Sequence, residues 1–414
     1  MPHPTSSTHR RFGPRGPNAV AILWTEPAWS LAMAWQTSYL TVYLVRMGLS
    51  PAGVGAAVGA AAVVQVAGLL MSGYLVDHLG RKTVIMAGDF IGWVLVLGLW
   101  VMDPRPLMLA LGVVLLNGFA FVTPAWNSLF AEDVEPARVS YYFLILQQLT
   151  LFGGLLVPIM APVVARMGVR ASGHLALSIS WPLVSAAWLL RVLWLRESSV
   201  GHAQRAARRA GTHPPLGDRL RAGLHGANLV LAGLRVLIQV AVGLWATFAP
   251  LILVAHRAEA LPPSTLAFLP LGSTVAGGLV LVLQRRWRKA VPARVMGAAL
   301  VMMVAGMATV SLAPAGRLVP VLVAWALVAA GQALFWTLHT TQWMAALPDA
   351  ARVDVQAWVG AVSAILMAVL APLLAGLIPY MPRSINGTWT VLTAAGLVVL
   401  VLGRGQLRSL SRRS

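Results

Sequence analysis

Of 414 residues, 58% are hydrophobic and only 10% are charged, and Lys and Arg outnumber Asp and Glu by 31 to 12. With a mean hydropathy of +0.77, this balance excludes an ordinary soluble domain, because apolar runs of span length follow one another nearly end to end and leave no polar surface to solvate. The basic excess lies in short loops between apolar runs, without an arm or groove, which argues against nucleic acid, and the absence of cysteine excludes a disulfide framework, a thiolate metal site and a cysteine nucleophile.

Residues 1–17 are polar and basic and lead into a span too long for a signal peptide, so they read as a cytoplasmic tail. Apolar spans follow at 19–45, 53–76, 83–102, 106–131, 140–165 and 171–195, then at 227–255, 264–284, 291–313, 317–345, 353–380 and 385–403. Each has about the twenty residues needed to cross the hydrocarbon core, which predicts an all-α, polytopic membrane protein of about twelve helices. Residues 196–226 form the long polar stretch between the two sets, rich in Arg and containing His213, Pro214 and Pro215. They read as a basic cytoplasmic linker between an N-terminal six-helix bundle, 1–195, and a C-terminal one, 227–414.

Lys and Arg concentrate in alternate loops: the N-terminal tail, the 77–82 loop, the linker, the 285–294 loop and the C-terminal tail. By the positive-inside rule, both termini and the linker are expected on the cytoplasmic side of a bacterial-type inner membrane. Weak internal similarity supports a duplication. Ala137-Arg138-Val139 recurs as Ala351-Arg352-Val353, Pro158 as Pro372, and Asn18 and Thr37 as Asn228 and Thr247. Transporters built from such repeats hold their sites at the repeat interface.

The sharpest local pattern is Gly73-Tyr-Leu-Val-Asp77-His-Leu-Gly80-Arg81-Lys82, between the second and third spans. Gly73 permits close helix approach, Gly80 a tight turn, and Asp77 can sit at a helix terminus or pair with a guanidinium. The alternative reading is a generic basic turn. The spacing and the position after span two resemble the signature of the major facilitator superfamily, and the chain as a whole resembles its bacterial drug/proton antiporter-type members. Here His78 replaces the usual Arg. The family's antiporter signatures are degraded: Val114 precedes Gly118 where an Arg is usual, and Gly153-Gly154 with Pro158 and Pro162 replaces the usual Gly-Pro pattern. The resemblance implies two six-helix bundles around a central cavity, with Gly73, Asp77, Gly80, Arg81 and Lys82 acting as a conformational switch. In this reading Asp77 and Arg81 stabilise the outward-facing state against a neighbouring helix without touching substrate.

An isolated charge at a helix centre costs roughly 2.5–3.5 kcal/mol on insertion scales and needs a cavity or a partner. Glu26 lies about two turns into span one and Arg235 at a similar depth in span seven. The resemblance implies that spans one, four, seven and ten line the cavity, so Glu26, Arg235 and His339 are expected there, with Glu26 and Arg235 as partners or near neighbours and Glu26 as the coupling site, the alternative for Glu26 being a structural ion pair. Asp89 is expected to be peripheral, a structural partner of Arg81 and Lys82. Eight of the sixteen tryptophans fall on these helices: Trp24, Trp29, Trp35, Trp126, Trp245, Trp325, Trp336 and Trp343. Those near span ends read as an interfacial belt. Asn117, Trp126 beside Asn127, and Trp336 four residues from Gln332 combine apolar faces with hydrogen-bonding groups, a mixture suited to amphipathic or cationic molecules.

No catalytic or metal pattern sits at a span end, so an enzyme is not expected, and neither is a metal or a cofactor beyond a coupled proton. The expected function is secondary transport of a small molecule by a monomer in the lipid bilayer, as proton-coupled efflux of amphipathic or drug-like compounds. The alternatives are uptake of a metabolite or sugar by the same fold, and a non-transporting lipid-handling or sensor protein.

Overall fold

The computed structural model describes residues 16–411 except 136–137, 211–214, 256–260, 288–291, 314–315, 349–350 and 379. Among the described residues there is helix and no strand. The helical segments line up as twelve rods. We number them α1 (Pro17–Ala34 and Gln36–Arg46), α2 (Pro51–Leu79), α3 (Arg81–Met102), α4 (Pro106–Gly118 continued by Thr123–Asp133), α5 (Val139–Leu151 and its continuation to Gly168) and α6 (169–194). After the linker come α7 (Ala227–Ala255), α8 (Pro263–Phe268 and Leu269–Trp287), α9 (Pro292–Leu312), α10 (Leu318–Ala346), α11 (Arg352–Leu377) and α12 (Pro382–Leu402).

Eight described stretches are long and apolar enough, by length and composition, to cross a membrane, with two shorter apolar helices besides. The count falls below twelve because several rods are broken or fused. The 54-residue stretch Tyr141–Trp194 holds two rods divided at Gly168, whose φ of 75° is open to glycine at little cost. A 3₁₀ turn at Phe119–Val122 interrupts α4, and α1 breaks at Trp35.

Local chemistry sets the rod ends. Ser50 caps α2, its Oγ accepting from the Gly53 N–H at 3.0 Å, and Pro51 follows at the first helical position. The start of α1 is tied to the end of α4, where the Asn18 N–H donates to Asp133 Oδ2 at 2.7 Å, a carboxylate placed at the positive end of a helix. The α2–α3 turn passes through Gly80 at φ 89°, and a Cβ there would strike Glu197 and Arg205.

Small residues bring the rods together, as expected where lipid supplies no hydrophobic drive between helices. A Cβ on Gly306 of α9 would come within 2.6 Å of the Ala324 carbonyl of α10. Large apolar side chains point outward on many rods, Leu193, Leu312 and Leu402 among them. The first six rods meet the last six along two seams. In one, α2 packs along α11, with Gly55 and Gly59 against Ala371, Pro372 and Ala375 at one end and Gly73 against Asp354 at the other. In the other, α5 packs on α8, with Gly154 against Pro270 and the Thr274 hydroxyl donating to the Leu151 carbonyl at 2.6 Å.

The start of α1, the end of α12 and the described linker helices lie on one face, called here the linker face. Contacts between the two sets of rods occur at both faces. The Tyr39 hydroxyl donates to the Ser264 carbonyl at 3.3 Å on the far face, and Asn127 Nδ2 donates to Gln356 Oε1 at 3.4 Å nearer the linker face. The linker is more than a solvated tether. It contains the helices Ser199–Arg209 and Leu216–Gly223, and Arg219 of the second forms an ion pair with Asp354 at the start of α11.

Candidate functional site

A cavity of about 320 Å³ lies between the two sets of rods, at the low end of the roughly 300–1,000 Å³ usual for small-molecule sites. Its walls come from α1 (Glu26), α4 (Thr123, Trp126, Asn127), α5 (Phe143, Leu146, Gln147, Thr150), α7 (Arg235) and α10 (Trp336, Thr337, Thr340). A smaller space of about 50 Å³, lined by Gln65, Gln239, Gln356 and Trp343 among others, shares Thr123 and Arg235 with it.

Glu26 and Arg235 thus face the same cavity, but they are not ion-paired. Glu26 Oε2 accepts from Arg191 Nη2 of α6 at 2.8 Å, and Glu26 Oε1 accepts from the Thr150 hydroxyl at 2.8 Å. The expected Glu26–Arg235 pair is replaced because α6 delivers a guanidinium to the back of α1. Arg191 Nη1 also reaches Asp89 Oδ2 of α3 at 3.3 Å, and its Nε donates to the Thr25 hydroxyl at 2.9 Å. Its guanidinium carbon lies over the Trp29 ring at 4.5 Å from the centroid and over the Trp126 ring at 4.6 Å. Such a flat, delocalised cation combines stacking with forked hydrogen bonding, which lysine does not.

Asp89 is therefore an interior partner of Arg191 and not of Arg81 or Lys82. A π-helical segment, Phe90–Leu95, follows it directly and faces the 3₁₀ turn of α4, Gly92 resting on Phe119. These two irregular stretches shape α3 and α4 next to the buried charges.

His339 is fully buried between α7 and α10. Its Nε2 lies 2.8 Å from the Leu231 carbonyl, and its ring packs on Phe335, Trp336 and Trp343. It does not line the cavity, because its side of α10 turns toward α7. Gln332 is half-buried and also lies off the cavity walls, and the Asn117 side chain lies outside the described residues. Among the tryptophans, Trp126 and Trp336 line the main cavity and Trp343 the smaller one, while Trp24 is 75% exposed and Trp245 and Trp325 sit in the apolar core.

The 73–82 turn lies at the linker face, away from the cavity. Arg81 is buried and forks onto Glu132 at the end of α4, with both nitrogen–oxygen distances 3.0 Å, and donates to the Ser198 hydroxyl at 2.9 Å. The Lys82 N–H donates to Glu197 Oε2 at 3.3 Å. Asp77 is buried beside this network, and Gly73 is the site where α2 comes closest to Asp354 of α11. Neither Asp77 nor Arg81 touches the cavity.

Arg191 and Thr150 escaped sequence reasoning as partners. The signal for Arg191 was present, a lone charge in an apolar run, but its place near the end of α6 resembles an ordinary interfacial arginine.

The family model described as Major Facilitator Superfamily matches residues 28–372. Solved structures show the same fold. The proton:xylose symporter XylE bound to 6-bromo-6-deoxy-D-glucose superposes with a TM-score of 0.69 at 12% identity, covering 95% of this chain and 98% of that one. The POT family transporter PepTSo gives 0.67 at 12% identity, covering 97% and 99%. The human organic anion transporter MFSD10 (TETRAN) gives 0.65 at 13% identity, covering 93% and 99%. No curated protein sequence matches the chain.

Proposed function

The chain belongs to the major facilitator superfamily, a multi-pass membrane transporter fold for small molecules and not an enzyme, and we propose that it is a proton-coupled exporter of small amphipathic compounds in which Glu26 is the coupling site. The observation that supports this reading is the cluster of Glu26 and Asp89 on the one guanidinium of Arg191. Two ionised carboxylates and one guanidinium leave the cluster one negative charge in excess. Uptake of a single proton makes it neutral, and charge balance matters most where lipid and protein replace water.

Glu26 is the member that also faces the cavity, so it can exchange its proton through the same space that admits substrate. Its Thr150 hydrogen bond leads to the seam between the two sets of rods, because the neighbouring Leu151 carbonyl accepts from Thr274 of α8. A proton on Glu26 weakens its hold on Arg191 and Thr150 and so changes the balance between two arrangements of that seam. This provides a bistable element biased by one binding event. The basic linker face, set toward the cytoplasm by the positive-inside rule, and the 73–82 turn would then control opening to that side.

The test is flux from proteoliposomes loaded with candidate compounds, with and without an acid exterior. Export accelerated by the gradient and accompanied by proton entry supports the reading. A flux indifferent to the gradient contradicts proton coupling, and acceleration of uptake alone contradicts export.

A further inference from the structure

The two arginines near the cavity differ in how they are satisfied. Both terminal nitrogens of Arg191 are taken by carboxylates. Arg235 instead donates from Nε to Gln239 Oε1 at 3.2 Å and lies over the Trp336 ring at 4.5 Å. Its Nη1 and Nη2 have no hydrogen-bond or ion-pair partner among the described residues, and the residue lines both the main and the smaller cavity. Among the described residues, the one acidic side chain on the walls of either space is Glu26, which is already engaged by Arg191 and Thr150.

A guanidinium in the membrane interior whose terminal nitrogens have no acceptor is costly, even with the excess charge of the Glu26 cluster across the cavity. Here its planar fork is braced from one side by Gln239, lies over an indole and is left open toward the cavity. That geometry matches two oxygens of one acidic group. The rest of the wall combines aromatic and apolar surface from Trp126, Trp336 and Phe143 with neutral hydrogen-bonding groups, Asn127, Gln147 and Thr340 among them.

We propose that the substrate is a small amphipathic organic anion, whose carboxylate, sulfonate or phosphonate is gripped by Arg235 while its apolar ring or chain lies against Trp336 and Trp126. This rests on the reading of the cavity as the transport site. It narrows that reading from amphipathic compounds in general to anions, and disfavours the cations that the tryptophans alone would suggest. The substrate's acidic group completes the site, since its oxygens occupy the Arg235 fork that no described side chain fills. Export of such an anion against proton entry moves net positive charge inward, so an inside-negative membrane potential assists it.

The test is direct binding to the purified full-length protein in nanodiscs, by calorimetric titration. The probes are naphthalene-2-carboxylate, -sulfonate and -phosphonate, compared with the isosteric naphthalene-2-carboxamide and 2-naphthylmethylammonium. At least one anion is expected to bind roughly tenfold or more tightly than the amide and the ammonium, and Arg235→Gln is expected to reduce its affinity roughly ten- to a hundredfold. Arg235→Lys should retain part of the binding, which separates loss of the fork from loss of the fold. An ammonium or amide that binds as well as the best anion, a panel in which nothing binds, or an Arg235→Gln protein with unchanged anion affinity overturns the inference. Binding needs no gradient. Gradient-driven export of a cation would sink this inference and leave proton coupling standing, whereas anion binding without proton movement would do the reverse.

Discussion

Glu26 of α1 and Arg191 of α6 are joined at 2.8 Å in the protein interior, 165 residues apart in sequence. The pair is not isolated. Asp89 shares the guanidinium, the rings of Trp29 and Trp126 pack against it, and Thr150 holds the other oxygen of Glu26. Five rods of the first half, α1, α3, α4, α5 and α6, therefore meet at one charged knot that borders the cavity.

Removing the cation from this knot leaves two carboxylates buried against aromatic rings. Arg191→Met is expected to destabilise the protein by about 3–5 kcal/mol, the usual cost of breaking a buried ion pair from one side. Adding Glu26→Gln and Asp89→Asn to Arg191→Met should recover most of that loss, because the groups act as one network. Thermal unfolding of the three proteins in the same detergent decides it. A triple variant less stable than Arg191→Met alone would show that the carboxylates have other partners that matter more.

At the linker face, the terminal nitrogens of Arg81 hold Glu132 and Ser198, and Gly73 lies where α2 meets Asp354. Asp77 is buried in this same turn, far from the cavity walls. Asp77→Asn is expected to slow turnover roughly tenfold or more while equilibrium binding changes less than about twofold, as befits a group that sets the conformational balance. Turnover and substrate titration on one preparation provide the comparison, and binding lost in step with flux would count against a switching role.

On the far face, a Cβ at Gly55 would come within 3.1 Å of the Ala371 carbonyl, so Gly55→Leu should wedge α2 away from α11. Overpacking of 1–3 kcal/mol shifts a two-state balance roughly five- to a hundredfold. The chain has no cysteine, so a single Thr340→Cys reports access to the cavity. Its labelling by an impermeant thiol reagent from the far face should rise by about that factor in the Gly55→Leu background. Unchanged labelling would mean that this contact does not close the far face.

Much of this architecture is legible in the sequence because lipid imposes a simple rule, about twenty apolar residues for each crossing. The same rule gives depth, which is why Glu26 and Arg235, placed by counting from their span ends, both reach the cavity. It does not give rotation about the helix axis. His339 sits at a plausible depth but turns toward Leu231, and Asp89, expected near Arg81, turns inward to Arg191. The Glu26–Arg191 pair depends on where α6 packs against α1, a long-range fact that no local pattern in either span encodes. Broken rods escaped for a related reason: the 3₁₀ turn at Phe119–Val122 lies in a continuously apolar run, and it is set by packing against Gly88 and Gly92.

The most direct test of the account compares two fluxes in the same proteoliposomes, for wild type and for Glu26→Gln: export driven by a pH gradient, and downhill exchange without one. Glutamine keeps the shape and can still hydrogen-bond to Thr150 and Arg191, but it cannot exchange a proton at working pH. The expected result is gradient-driven export reduced to the gradient-free rate, with exchange within about twofold of wild type and a normal elution profile. If Glu26→Gln still responds to the pH gradient as the wild type does, the proton is carried elsewhere and Glu26 is a structural partner of Arg191.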